Sequence, residues 1–172
     1  DFELKIGFDG DIPPYEVKAA NGKIVISGAV DRVDEAVINN EKYIRIVDYK
    51  SSGKDFALSD VIQGLNMQMF IYLFTLWQNG EKKYGKFTPA GVLYYPANSP
   101  LVSVERNKST EDIDAERQKK CRMNGIILND PDVITAMDES KSGLFVPATF
   151  KGGEFSGSLI GLAQFGKLKE KA

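Results

Sequence analysis

The sequence predicts an α/β fold with a central mixed β-sheet flanked by helices. Three observations point there. Alternating apolar and polar runs separated by turn residues fill the first fifty positions. A long, mostly apolar segment, "VIQGLNMQMFIYLFTLWQNG" (61–80), follows them. A further strand-like run and a charged helical segment come next.

Taken in order, "DFELKIGF" alternates and reads as a strand, which "DGDIPP" breaks. "YEVKAANGKIVISGAVDRVDEA" carries a hairpin turn at Asn21-Gly22 between two alternating runs, the second reaching about Ala36. "INNEK" makes another turn, and "YIRIVDYK" is a strand rich in β-branched and aromatic residues. Three consecutive antiparallel strands, or four with the first, are expected to form the opening sheet. "SSGKDFALSD" reads as a loop in which Ser59 or Asp60 caps the long helix, and that helix stops at Gly80. Being apolar on most of its circumference, it should be buried. "AGVLYYPA" is a further strand, and "STEDIDAERQKKCRMNG" an exposed helix ending at Gly125. Asp130 before Pro131 caps another helix. The tail reads as a strand pair and a short helix.

Composition narrows the chemistry. The 172 residues are one domain's worth of chain, 42% hydrophobic and 27% charged with net charge −2. An isoelectric point near 5.3 gives no global basic field for nucleic acid. There is no histidine and one cysteine, Cys121. Serine–histidine and cysteine–histidine nucleophiles, histidine–zinc chemistry and an internal disulfide framework are therefore excluded within this chain. Catalysis would fall to carboxylates, lysine, tyrosine or a metal held by oxygen. The longest apolar run, Met69 to Trp77, is too short to span a bilayer, and no P-loop for ATP is present. The chain starts mid-pattern without methionine, so it is expected to be a single domain, residues 1–172, excised from something longer.

The stretch "SGAVDRVDEAVINNEKYIRIVDYKSS" (27–52) carries the chemistry. A two-residue turn at Asn39-Asn40 puts Asp31 opposite Asp48, and a four-residue loop puts it opposite Lys50. In either register the strand parity assigns the three to one face, with cross-strand Cβ atoms roughly 5 Å apart. Two carboxylates that close repel, and a divalent cation removes the conflict. Mg2+ suits one or two carboxylates plus water, and the Tyr49 carbonyl offers a third protein oxygen. Lys50 would then orient a water or stabilise charge developing on phosphorus. The competing reading is a surface ion pair worth under about 1 kcal/mol.

"GAVDRVD" followed by "YIRIVDYKSS" resembles the RecB-like branch of the PD-(D/E)xK nuclease superfamily, and "QMFIY" matches its Q-x-x-x-Y helix motif. Within that branch, "GLNMQMFIYL", "PAGVLYYPA" and "GIILNDPDVITAMD" resemble the nuclease domain of the second subunit of bacterial helicase–nucleases. The resemblance implies a restriction-endonuclease-like core and Mg2+-dependent (or Mn2+-dependent) exonuclease activity on unwound DNA. It implies metal ligation by Asp31 and Asp48, catalysis by Lys50, and roles for Gln68 and Tyr72 facing the site or the DNA backbone. For those two the alternative is that Tyr72 is core and Gln68 bonds to the sheet. Asp34 and Arg32 are expected to be structural, and Gly28 to relieve close packing beside the site. The resemblance further implies double-strand-break repair, an AddA-type helicase–nuclease partner, a bacterial cytoplasmic setting, and degradation of the strand ending 5′. The superfamily's first acidic or histidine residue, on a helix before the first strand, has no match here. An iron–sulfur cluster is expected only in the full-length protein. A stand-alone exonuclease and a non-catalytic DNA-guiding domain are the competing functions.

Overall fold

A computed structural model describes residues 1–51, 56–97 and 109–171. A six-stranded mixed sheet forms its centre, in the order β1 (Phe2–Ile6), β4 (Gly28–Ile38), β5 (Glu41–Lys50), β6 (Thr88–Pro96), β7 (Asn124–Leu128), β10 (Leu159–Ile160). Strands β1, β4 and β5 run antiparallel, β5 and β6 parallel, β6 and β7 antiparallel, and β7 and β10 parallel. The parallel step from β5 to β6 needs a crossover. Helices α1 (Leu58–Ile62), α2 (Gln68–Asn79) and α3 (Glu81–Tyr84) supply it. The predicted α/β class and mixed central sheet are therefore what the chain forms.

One face of the sheet packs on α2. Phe70, Leu73, Phe74 and Leu76 from the helix meet Val30, Val33, Ile44, Ile46 and Val92 from the strands. The other face is covered by α5 (Pro131–Met137) and by the hairpin of β8 (Ala148–Lys151) and β9 (Glu154–Gly157). Val47, Leu93, Ile127, Ile134, Val146 and Ala148 form the smaller core there. Asp130 caps α5 through Oδ1, which accepts from the N–H groups of Asp132 and Val133, as the Asp-Pro pair predicts. Ser109 and Asp112 cap the exposed helix α4 (Thr110–Cys121) reciprocally. The C-terminal helix α6 spans Leu162–Lys171 and buries Phe165. Among the described residues, no helix is long and apolar enough to cross a membrane.

Several expectations need correction. β2 (Tyr15–Ala19) and β3 (Gly22–Ile26) make a separate two-stranded hairpin and do not join the central sheet. Its turn residues are Ala20 and Asn21, one position earlier than expected, since Ala19 pairs with Gly22. The long helix is two, because Gly64 (φ +83°) and Asn66 (φ +56°) bend the chain between α1 and α2. Ser59 and Asp60 lie inside α1, whose N-cap is Ala57, so neither is the cap. The charged helix ends at Cys121 rather than Gly125, and Asn124–Leu128 becomes the buried strand β7.

Candidate active site

The β4–β5 turn is the two-residue one. Ile38 pairs with Glu41, and Asn39 and Asn40 both adopt left-handed conformations, at φ +51° and +65°. The ladder runs back from there to Arg32↔Val47. One step further, Asp31 comes level with Asp48, but the two backbones no longer pair. The Asp31 carboxylate instead accepts the N–H of Tyr49 at 3.0 Å. Asp31 is thereby tied to the peptide between Asp48 and Lys50.

This break follows from a change of side. Gly28 and Val30 face α2, and so does Val33, although strict alternation would turn either Val30 or Val33 away. The switch lies level with Glu3 on β1, whose φ is +50°. Phe2 pairs with Arg32 and Leu4 with Val30, so both strands exchange faces at the Glu3/Asp31 level. Simple parity counting along β4 therefore fails at Asp31. Its carboxylate reaches the Tyr49 N–H and lines a hollow with Phe2, Glu3 and Tyr49, so the expected grouping of Asp31, Asp48 and Lys50 on one face is not what forms.

On β5 alternation is regular. Ile44, Ile46, Asp48 and Lys50 share the α2 face. Asp48 Oδ2 lies 2.5 Å from Lys50 Nζ, and the Asp48 side chain is only 18% exposed. That oxygen is buried, and no donor reaches it with hydrogen-bond geometry. The Lys50 ammonium sits 5.9 Å from the centroid of the Tyr94 ring. Tyr94 is the cross-strand partner of Asp48 on β6. Burial, then the nearby Asp48 charge, pushes its hydroxyl pKa up to about 12. Tyr94 also contacts Phe56, which stacks on Phe70. The sequence reading missed Tyr94, because the β5–β6 pairing that sets it beside Asp48 is non-local.

Gln68 and Tyr72 stand one turn apart at the start of α2. Gln68 is exposed and its Nε2 donates to the Tyr72 hydroxyl at 3.1 Å. Tyr72 is buried in the main core with its hydroxyl against Gly28, where a side chain would collide with it. Gly28 is thus the point of close approach between α2 and β4.

Arg32 and Asp34 lie on the face away from α2. Arg32 donates to both Asp34 oxygens, from Nε at 2.6 Å and from Nη2 at 3.0 Å, and Arg45 Nε donates to Oδ2 at 2.9 Å. Burial alone would raise the Asp34 pKa, but the Arg32 hydrogen bond and the Arg45 charge hold it below the usual carboxylate range. The pair is a structural buttress under β4 and β5.

Hard-cation chemistry suits the donors here. Asp31, Asp48 and the Tyr49 carbonyl are all oxygen ligands, and the buried Asp48 oxygen, ion-paired with Lys50 but accepting no hydrogen bond, is one a cation could share. Among the described residues no cluster of three or more Asp, Glu, His or Cys could hold a metal. Two carboxylates would leave the remaining positions to water and phosphate oxygens, as Mg2+ favours.

A mixed sheet with an Asp…Asp-x-Lys pairing on adjacent strands and a Q-x-x-x-Y helix across it defines a nuclease-type domain. The family profile described as the PD-(D/E)XK nuclease superfamily matches residues 1–146, and the chain belongs to that superfamily. Nucleases of this kind typically use divalent metals. The chain is also similar to proteins named as the B-type subunit of an ATP-dependent helicase/deoxyribonuclease, known as AddB or RexB. That of Ruminiclostridium cellulolyticum is 38% identical over 160 residues, and that of Listeria innocua 39% over 161. That of Clostridium kluyveri is 40% identical over 167. These matches cover 91%, 90% and 94% of this chain but only 14% of each relative.

Proposed function

We propose that this chain is a Mg2+-dependent deoxyribonuclease domain that hydrolyses one strand of unwound DNA. It would do so within a bacterial, cytoplasmic helicase–nuclease that prepares double-strand breaks for recombination, beside an AddA-type subunit. The observation that carries this reading is the buried Asp48 oxygen, ion-paired with Lys50 but accepting no hydrogen bond, next along the strand to the peptide that Asp31 grips. Asp31, Asp48 and the Tyr49 carbonyl would hold the cation. Bound there, it would supply Lewis-acid activation of water and neutralise charge on the scissile phosphate. Lys50 would direct a proton toward the phosphoryl oxygen that gains charge in the transition state, with the Tyr94 ring keeping the ammonium in place. Gln68, exposed at the helix start, would reach the DNA backbone, while Tyr72 fixes the distance between α2 and β4. Mn2+ would serve in place of Mg2+, and the iron–sulfur cluster belongs to the full-length protein. The single-domain extent, residues 1–172, is part of this proposal.

The test is Asp48→Ala in the full-length protein with its partner, with each DNA strand labelled in turn. One strand should be cut at least about a hundredfold more slowly while the other is unaffected. Mn2+ binding followed by electron paramagnetic resonance should drop by one site. Equal cutting of both strands would refute the assignment and favour the DNA-guiding alternative.

A further inference from the structure

Among the described residues, the face of the sheet away from α2 is covered as far as Val47, and the side chains beyond it are exposed. Phe2 pairs with Arg32, Arg32 with Val47, and Tyr49 with Tyr95. Tyr49 lies two residues beyond Val47 on the same face. Phe2, Arg32, Tyr49 and Tyr95 therefore form a diagonal row across four adjacent strands, stepped by two residues between β4 and β5 and roughly 16 Å long at a strand spacing of about 4.8 Å. The rings are exposed by 72% at Phe2 and by 39% at both Tyr49 and Tyr95. Tyr49 and Tyr95 meet edge to face, with centroids 5.6 Å apart.

We propose that this row is a stacking platform for the bases of single-stranded DNA entering the candidate active site. The proposal rests on the nuclease reading and names the surface that would present the strand. Flat rings with a guanidinium among them accept any base, which suits an enzyme that degrades DNA without regard to sequence. Arg32 is kept rigid by Asp34 and lies against the Tyr49 phenol. The platform adjoins the chemistry. Phe2, Glu3, Asp31 and Tyr49 line one hollow of about 290 Å³, and the Tyr49 peptide is the one Asp31 grips. Glu3, the carboxylate of that hollow not assigned to the cation, repels phosphates, so the strand would turn its bases toward this side. A strand laid here would pass over the end of β5 to reach Asp48 and Lys50 on the opposite face. A protein partner is the competing occupant. The planar aromatic composition and the wall shared with Asp31 favour nucleic acid.

The experiment uses the full-length protein in chelator, so that nothing is cut, with a single-stranded oligonucleotide carrying iododeoxyuridine. Irradiation and peptide mapping should find crosslinks at Tyr49 and Tyr95. Tyr95→Leu should weaken single-strand binding about tenfold, and Tyr95→Phe should restore it. Crosslinks confined to other parts of the protein, or Tyr95→Leu binding within twofold of the parent, would overturn the platform. So would protection of these rings from hydroxyl-radical oxidation before DNA is added, since a protein segment would then cover them. If metal-dependent cutting by the parent survives such a result, only the platform falls. If crosslinks appear but Asp48→Ala cuts like the parent, only the nuclease assignment falls.

Discussion

Gly28→Ala tests whether close approach between β4 and α2 holds the candidate site together. A Cβ at this position would lie 2.7 Å from Tyr72 Cζ and 2.9 Å from Cε1, with the hydroxyl oxygen closer still. Ordinary contacts begin near 3.4 Å. The ring must therefore retreat by more than half an ångström into a core where Phe70, Leu73 and Phe74 are fully buried. Overpacking of this kind costs about 1–3 kcal/mol. Displacing the hydroxyl also weakens the Gln68–Tyr72 hydrogen bond, for roughly another 0.5–1 kcal/mol. For a domain of this size the midpoint of thermal unfolding should fall by roughly 3–16 °C. The decisive assay is a double-mutant cycle with Tyr72→Leu, followed by urea denaturation. Leucine lacks the outer ring atoms, so Gly28→Ala should cost less than about 0.5 kcal/mol in that background. Equal costs in both backgrounds would refute the close-approach argument.

Asp34→Asn should destabilise by on the order of 2 kcal/mol, below the ~3–5 kcal/mol of a fully buried pair because the carboxylate is 24% exposed. Urea midpoints would measure it. Acid should weaken the fold through two carboxylates. Asp34 is one, and Asp138 is the other, where burial is outweighed by hydrogen bonds from the Ser140 hydroxyl and the N–H groups of Phe145, Leu144 and Ser140. Each binds its proton more weakly when folded, so its stabilisation is complete above the ordinary carboxylate pKa of about 4 and is lost as pH falls through the lower folded value. Urea midpoints taken from pH 7 to pH 2 should decline below about pH 4, less steeply for Asp34→Asn. Ser109→Ala removes one arm of the α4 capping box and should cost about 1 kcal/mol, read as lost protection in hydrogen exchange at the first turn. Lys50→Ala should slow cleavage of the affected strand about a hundredfold while leaving Mn2+ binding in place.

How far the chain could be read follows the range of the interactions involved. The Asn39-Asn40 turn was legible because two residues able to take positive φ set the register of the strands they join. Once that turn is two residues long, Asp31 must come level with Asp48 and Lys50 must share Asp48's face. The Asp-Pro cap of α5, the buried α2 and the tail hairpin are likewise local patterns of period, cap and turn. Gly28 was readable as a point of close packing, but the atom it accommodates, the Tyr72 hydroxyl, was not.

The sequence by itself determined the turn registers, the order of acids and lysine along β4 and β5, and the membership that those motifs carry. Tertiary structure alone decided which side Asp31 takes, because the exchange of faces needs β1 and β4 to twist together at Glu3. It also decided that β6 lies against β5, which brings Tyr94 to Asp48 and Tyr95 to Tyr49. It separated β2 and β3 from the sheet and turned the end of a charged helix into a buried strand. Alternation and turn chemistry act over a few neighbouring residues and can be read from them. Pairing between distant strands is selected by how the two faces of the sheet are covered, and no short window of sequence contains that information.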